Sequence, residues 1–429
     1  HLDIPRTTVL YHLEHRELFH QICRQYTYSH AGDLQQLLLA SLDEVPISYV
    51  SYSTTKPQAL HHTRTELKDY LNWKSSEPTQ NKPLIQQLNR ARYRFSGQRF
   101  WIAHLLNNTP DPITGTWIQD VYSALAVSQS ECVQLTLRLA LSLLQVDKGL
   151  DGLQQLIDAY RNSESLLEKL QYSQTGRYLS RRLKSNFPPL PPLLTATERR
   201  LQWTTKKVDT RQTYNGMLVE YAVIQHLTEN GRNTIRTENS PWNNLFSLIF
   251  LDILFAPVEG QLPSPILSGP IDFGTHDLYH TRQHLFDARL EELTDTGPLP
   301  ILKRNTDGLE FPIESYHIRG CSWKEFSYDS LIDFASNVPV MTLLAILKHR
   351  LTHPIQSHRG MPDLCVLPGD AIRTPDLFPS KIPSEFFFVE VKSERDTLSA
   401  YQHHWIHILR ESGCVVEVWN IHSKGRKNA

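Results

Sequence analysis

The sequence predicts a multidomain α+β protein, mostly α-helical in its N-terminal and middle regions and closed by a small C-terminal α/β domain. Three observations carry that prediction. Leu135, Leu139 and Leu143, then Leu153, Leu156, Ile157 and Tyr160, repeat at helical spacing. The segment Asn186-Phe-Pro-Pro-Leu-Pro-Pro192 cannot continue a helix, because each proline lacks the N–H and fixes φ. Beyond it, short β-type runs appear in the order strand, strand, helix, strand.

Residues 1–75 mix short helical stretches with polar connectors such as Ser51-Tyr-Ser-Thr-Thr-Lys-Pro57, and form a candidate DNA-binding region. A boundary near Ser75-Ser-Glu-Pro78 opens a helical repeat-like domain over 76–194, although no clean repeat period is present. The proline segment closes it, and 195–429 form the third region, with a core at about 315–425. Within that region Met217 to Thr228 reads as a helix. Ser240-Pro241 reads as an N-cap with proline at the first helical position, opening a helix through Phe255. Asp363-Leu-Cys-Val-Leu and Phe386-Phe-Phe-Val-Glu-Val read as strands. Leu398 to Glu411 reads as an amphipathic helix closed by Gly413, and Cys414 to Ile421 as a further strand.

Composition is that of an ordinary globular protein, with 40% hydrophobic and 21% charged residues. Lys and Arg number 44 against 45 Asp and Glu, so any polyanion-binding surface must be local and balanced by acids elsewhere. The cysteines (Cys23, Cys132, Cys321, Cys365, Cys414) lie far apart without a CxxC pair, which predicts free thiols in a reducing compartment. His403, His404 and His407 have no Cys or Glu at zinc-ligand spacing beside them and are expected on an ordinary helix surface. The longest apolar run, Leu245 to Val258, is too short to cross a bilayer and contains Asp252, so no membrane is expected. No signal-peptide pattern is present. A chain that begins at His1 rather than Met is expected to lack some N-terminal sequence.

The chemistry concentrates in Gly360-Met-Pro-Asp-Leu364 and Val389-Glu-Val-Lys392. A strand period of two puts Glu390 and Lys392 on one face, which an Asp at the start of a preceding strand can approach. Two carboxylates make a hard oxygen site suited to Mg²⁺ or Mn²⁺. A neighbouring Lys can orient or deprotonate the attacking water, or stabilise charge on phosphorus. Alternating charges are also common on solvated strand faces. The run Phe386-Phe-Phe-Val-Glu-Val is otherwise apolar, however, and charges in a buried strand need a reason. The residues alone therefore reach metal-dependent phosphodiester hydrolysis, with a charged edge strand as the alternative.

The stretch from Gly360 to Ile421 resembles the virus-type replication-repair nuclease (VRR-NUC) domain of the PD-(D/E)xK superfamily. Matching features are Gly360-Met-Pro-Asp-Leu, Val389-Glu-Val-Lys, Asp396, Leu398-Ser399, Gln402, Trp405 and the strand Val416-Glu-Val-Trp. Upstream, Thr237-Glu-Asn-Ser240 with Leu245 to Phe255, Asp272-Phe through Asp277-Leu-Tyr with Arg282, and Trp323 with Phe326 are similar to the Fanconi-associated nuclease family. Arg236-Thr237, Gly260-Gln-Leu-Pro-Ser-Pro and Ser393 depart from the family's usual residues without removing a catalytic group.

The resemblance implies a structure-specific DNase that cuts 5′ flaps and trims from 5′ ends in interstrand crosslink repair. It would be an intracellular, DNA-associated protein acting on branched or flapped DNA, as a monomer. Asp363, Glu390, Lys392 and Gln402 are the implied catalytic residues, and Glu238, Asp363, Glu390 and Val391 the metal set for Mg²⁺ or Mn²⁺. Bland readings accompany some of these. Ser399-x-x-Gln402 is also a capping-box pattern. Glu238 lies before a helix N-terminus, where a carboxylate is favourable for dipole reasons alone. Trp405 falls on the apolar stripe and is expected in the core.

Two segments could carry DNA. Arg177 to Arg211 holds nine Lys or Arg, among them Arg181, Arg182 and Lys184, with Glu198 and Asp209 as its acids. Arg90, Arg92 and Arg94 interleave with aromatics up to Trp101, a mixture that tracks phosphates and stacks bases. Each could equally be a solvated helix face. The rival functions are a helical scaffold with an inactive nuclease fold, and a dimeric junction resolvase.

Overall fold

The computed structural model describes residues 50–53, 55, 133, 136–137, 140–141, 143–144, 147–203, 218–237, 240–262, 267–324, 326–354, 357–369, 385–393 and 396–423. Helices α1 (Gly149–Asn162) and α2 (Leu166–Leu183) pack on each other through Leu153, Leu156, Tyr160, Tyr172 and Leu179. Of the predicted apolar stripe, Leu153, Leu156 and Tyr160 are buried and Ile157 is half-buried against them. Leu143 is buried as well, whereas Leu135 and Leu139 lie outside the described residues. Ser165 caps α2 by accepting from the Glu168 amide. The proline segment that follows folds back on these helices. Tyr160 donates to the Pro189 carbonyl at 2.6 Å, and its ring meets Phe187 edge-on.

The rest is a mixed five-stranded sheet between two helical layers. Its strands are β1 (Thr197–Trp203), β2 (Thr234–Arg236), β3 (Leu364–Val366), β4 (Phe387–Ser393) and β5 (Val415–Ser423), in the spatial order β1-β5-β4-β3-β2. β5 pairs parallel with both β1 and β4, while β3 pairs antiparallel with β4 and β2. Helix α3 (Leu218–Glu229) covers one face, where Val223 and Leu227 meet Leu364, Phe387, Val389 and Trp419. The other face lies under α4 (Ser240–Ile249), α5 (Leu251–Leu254), α6 (His276–Thr281), α7 (Gln283–Thr296), α8 (Pro298–Thr306), α9 (Tyr328–Asn337), α10 (Val340–Thr352) and α11 (Ala400–Glu411). No single described helix is long and apolar enough to cross a membrane. Cys321, Cys365 and Cys414 are free thiols, and Cys23 and Cys132 lie outside the described residues.

The architecture is the predicted α+β class, with corrections in detail. The helix expected from Ser240 through Phe255 breaks at Phe250 into α4 and α5. The break leaves carbonyls that side chains take up: Asn305 donates to Leu248 and Ile249, and Arg289 to Ile249. Helix α11 begins at Ala400 rather than Leu398, because Ser399 is its N-cap. Strands β1 and β2 were not anticipated. Both lie at sheet edges, where one side needs no partner strand and the apolar alternation that marks a strand is weak. The Asp272 to Arg282 motif has a structural basis here, since the two side chains form a fully buried ion pair at 2.8 Å.

Candidate active site

Asp363, Glu390, Lys392 and Gln402 come together where β3, β4 and the start of α11 meet. Along β4, Val389 and Val391 face α3 while Glu390 and Lys392 face the other way. Glu390 is 1% exposed, and its Oε1 lies 2.9 Å from Lys392 Nζ. Gln402 Nε2 donates to the same Oε1 at 2.5 Å, and Lys392 Nζ donates to Gln402 Oε1 at 3.2 Å, which closes a triangle. Gln402 Oε1 also accepts from the Ser399 amide at 2.9 Å, while Ser399 Oγ accepts from the Gln402 amide. Gln402 thus belongs to the capping box at the start of α11 and also bridges Glu390 and Lys392 by hydrogen bonds.

Asp363 arrives from the neighbouring hairpin. Leu364 pairs with Val389, and continuing that antiparallel register by one residue sets Asp363 across from Glu390. Its Oδ2 accepts from the Val391 amide at 2.8 Å. Its carbonyl accepts from the Thr237 amide at 2.9 Å, and Thr237 Oγ1 donates to the Pro362 carbonyl. Thus β2, β3 and β4 together fix the carboxylate. Glu238 follows Thr237 in the chain and lies outside the described residues, as do Arg90, Arg92 and Arg94.

Gly360 makes the approach of this turn to α11 possible. Its φ is +78°, and a Cβ there would stand 2.6 Å from Tyr401 Cβ and 2.7 Å from the Gln402 amide nitrogen. Tyr401 gathers further support that sequence reasoning missed. The Arg359 guanidinium lies 5.8 Å over its ring, and Gln171 of α2 donates to its hydroxyl at 2.7 Å. The local signal was the place of Tyr401 beside Gln402; nothing near Gln171 pointed to so distant a partner. Trp405 is 1% exposed, as expected for a core residue, and donates to the Arg359 carbonyl. Beyond β4, Asp396 accepts from both the amide and the hydroxyl of Ser393, which hold its carboxyl below the usual range.

The expectation for the histidine run is corrected. His404 is buried, its ring tilted against His349 (4.9 Å), which in turn lies 4.7 Å from both His353 and Trp405; His403 and His407 are half-buried. Helix α11 packs against α2, α10 and the sheet, so it has little open surface. Burial first, then the neighbouring imidazoles, push His404 down to about 4 and His349 to about 2, which leaves both neutral at pH 7.

Arg181, Arg182 and Lys184 are exposed at the C-terminal end of α2, where cations also suit the helix dipole. Arg182 donates to the Tyr178 hydroxyl, with its guanidinium 5.6 Å over that ring. The strand β1 takes Arg199 and Arg200, so the basic segment is split between two elements.

The donors suit a hard divalent cation, since the carboxylates Asp363 and Glu390 face one another from paired strands. Among the described residues no group of three His, Cys, Asp or Glu is gathered for a metal ion. The third carboxylate expected there is Glu238, outside those residues.

Residues 303–422 match the VRR-NUC domain. A Fanconi-associated nuclease 1 homolog from Schizosaccharomyces pombe is 31% identical over 216 residues, half of this chain and 29% of the relative. The homolog from Pseudomonas aeruginosa is 30% identical over 204 residues, 47% of this chain and 33% of the relative. The alignments thus span a third or less of either relative's length. The fold is similar to that of paFAN1 bound to 1nt 5′ flap DNA with gap. The TM-score is 0.65 at 19% identity, covering 96% of this chain and 72% of that one. Residues 303–422 are thus similar to the VRR-NUC domain, and the chain resembles Fanconi-associated nuclease 1 homologs in sequence and paFAN1 in fold.

Proposed function

We propose that the chain is a metal-dependent, structure-specific DNA nuclease. It would act as a 5′ flap endonuclease and 5′-to-3′ exonuclease in DNA repair, at interstrand crosslinks. The observation that carries this reading is the triangle of Glu390, Lys392 and Gln402 set beside Asp363. A buried carboxylate held by an ammonium and an amide is costly to build for packing alone. The similarity to proteins that include a flap-bound structure supports the substrate class.

Glu238, Asp363, Glu390 and Val391 are the residues that would hold Mg²⁺ or Mn²⁺. The cation, when bound, supplies an acidified water and neutralises charge on phosphate oxygens. Lys392 Nζ, with its side chain 12% exposed, holds a fixed positive charge where charge develops on the phosphorus oxygens. Gln402 keeps that ammonium in place from the helix side, and the Val391 amide keeps the Asp363 carboxylate on the sheet side. Arg90, Arg92, Arg94, Arg181, Arg182 and Lys184 are the proposed backbone contacts. The protein acts inside the cell, where its DNA is, and as a monomer.

The test is cleavage of labelled 5′ flap, splayed and four-way junction DNAs with Mg²⁺, Mn²⁺ or excess EDTA. Flap cutting that Asp363→Ala and EDTA both abolish is expected. Activity that survives either one, or symmetric junction cutting by a dimer, would overturn the reading.

A further inference from the structure

The catalytic cluster accounts for the charges on β4, but it leaves Arg350 unexplained. Arg350 is in the last turn of α10 and is 4% exposed. Its Nη1 donates to Asn243 Oδ1 of α4, while Nε and Nη2 have no partner among the described residues. Burial alone pulls its pKa down to about 10, with no carboxylate acting in the other direction. The contrast with Arg282 is direct, for that buried arginine has Asp272. A closed-in guanidinium without an anion is a costly arrangement, and native structures rarely keep one without a reason.

Arg350 lines a cleft that opens to solvent. Asn243, Ser357 and His358 line the same cleft, between apolar walls that include Phe246 and Phe273. His358 is exposed at the rim, but crowding of its ring and the charge of Arg350 push it down to about 4; at pH 7 the ring is neutral and Arg350 is the charge among the described lining residues. The Asn243 amide, the Ser357 hydroxyl and the His358 ring are donors of the kind that complete a phosphate site around an arginine fork. The cleft also lies close to the reaction in the chain. Ser357 and His358 shortly precede Asp363, and Asn243 is in the first turns of the helix that follows Glu238.

We propose that this cleft is an anion site that holds a phosphate of the DNA strand bound at the Asp363–Glu390 cluster. The assignment to DNA rests on the nuclease reading above; the assignment of a bound phosphate does not. The unpartnered nitrogens are closed in, so engagement requires side chains around Arg350 to move and open them to the cleft.

Thermal unfolding of the full chain, titrated with inorganic phosphate at constant ionic strength, tests the anion site. The wild type should gain in Tm with phosphate concentration, as ligand linkage requires. Arg350→Met should lose that rise. Asn243→Asp places a carboxylate against the guanidinium; it should raise the Tm without phosphate and abolish the dependence. A wild-type-sized rise in both variants, or no rise in the wild type, overturns the proposal. Binding of flap DNA without metal, at several salt concentrations, tests the source of the phosphate. Arg350→Met should weaken binding roughly ten- to a hundred-fold, the scale of a charge-assisted hydrogen bond, and lower the salt slope by about one. If the phosphate effect is lost while DNA affinity and slope are unchanged, the assignment to DNA fails. Cleavage measured alongside separates this from the nuclease reading. A protein that responds to phosphate but cuts no DNA keeps its anion site, and one that cuts DNA without the response loses it.

Discussion

On one side of α11, Gln402 joins Glu390 and Lys392 in a closed set of hydrogen bonds. Two residues on, about half a turn round the helix, His404 packs against His349 and neither of its ring nitrogens has a partner among the described residues. Both clusters are polar and buried, yet they meet the cost of burial in different ways. In the first, opposite charges and an amide satisfy one another, so full charges persist in the interior. In the second, the rings give up their protons and are accommodated as neutral aromatics beside Trp405. The difference lies in pairing: the first cluster keeps its charges because each has a partner, and the second avoids charge because it has none of opposite sign among the described residues.

Removing the cation from the charged cluster should have the largest effect. Lys392→Ala should cut the cleavage rate at least ~100-fold, on the scale of a lost transition-state donor, with DNA affinity nearly unchanged. Single-turnover rates and binding isotherms read the two separately. A fall in affinity with the rate preserved would make Lys392 a phosphate clamp and blur the contrast between the clusters.

Gly360→Ala attacks the seam that sets the charged cluster against α11. Positive φ and crowding against Tyr401 and Gln402 should together cost about 1–3 kcal/mol. Urea unfolding should show a lower midpoint at unchanged slope. A wild-type midpoint would mean that the turn can move without disturbing Gln402.

The neutral cluster predicts a pH dependence. Above about pH 6.5 both folded and unfolded imidazoles are uncharged. As pH falls from there toward about 4, the unfolded His404 takes up a proton that the folded one refuses, so stability is lost. Each such histidine contributes up to ~1.4 kcal/mol per pH unit over that window. His404→Phe should flatten the decline between pH 6.5 and 4 and leave stability at pH 8 little changed. An unaltered acid limb would show that the ring protonates in the folded state.

Exposed cations complete the comparison, and their effect on folding should be the smallest. Replacing Arg181, Arg182 and Lys184 together by Ala should change unfolding stability by no more than ~0.5 kcal/mol per site. If these side chains hold DNA as proposed, log K should depend less steeply on log salt, by roughly one for each phosphate no longer neutralised. An unchanged slope would leave the Arg90 to Trp101 segment as the better candidate.

Legibility followed the range of each interaction. The apolar face of α1, the Ser399 cap, the helix ending before Gly413 and strands β4 and β5 were readable, because each rests on residues within a few positions of one another. The edge strands β1 and β2 were not, since their pairing partners lie far along the chain and their residues lack an apolar alternation. The histidines of α11 were misread for a related reason. A helix with polar residues reads as exposed unless the elements that cover it are known, and here α2 and α10 cover it.

What the sequence determined by itself was local: Glu390 and Lys392 on one face through the period of a strand, and Ser399 with Gln402 at a helix start. Tertiary structure decided which groups meet. The β3–β4 pairing sets Asp363 across from Glu390, Gly360 lets the turn touch α11, and α2 reaches Tyr401 through Gln171. It also left Arg350 facing a cleft without a carboxylate, which no spacing in the chain reveals. The physical reason is that periodicity encodes direction along one element, whereas desolvation and charge pairing depend on what the other elements bring to the same point.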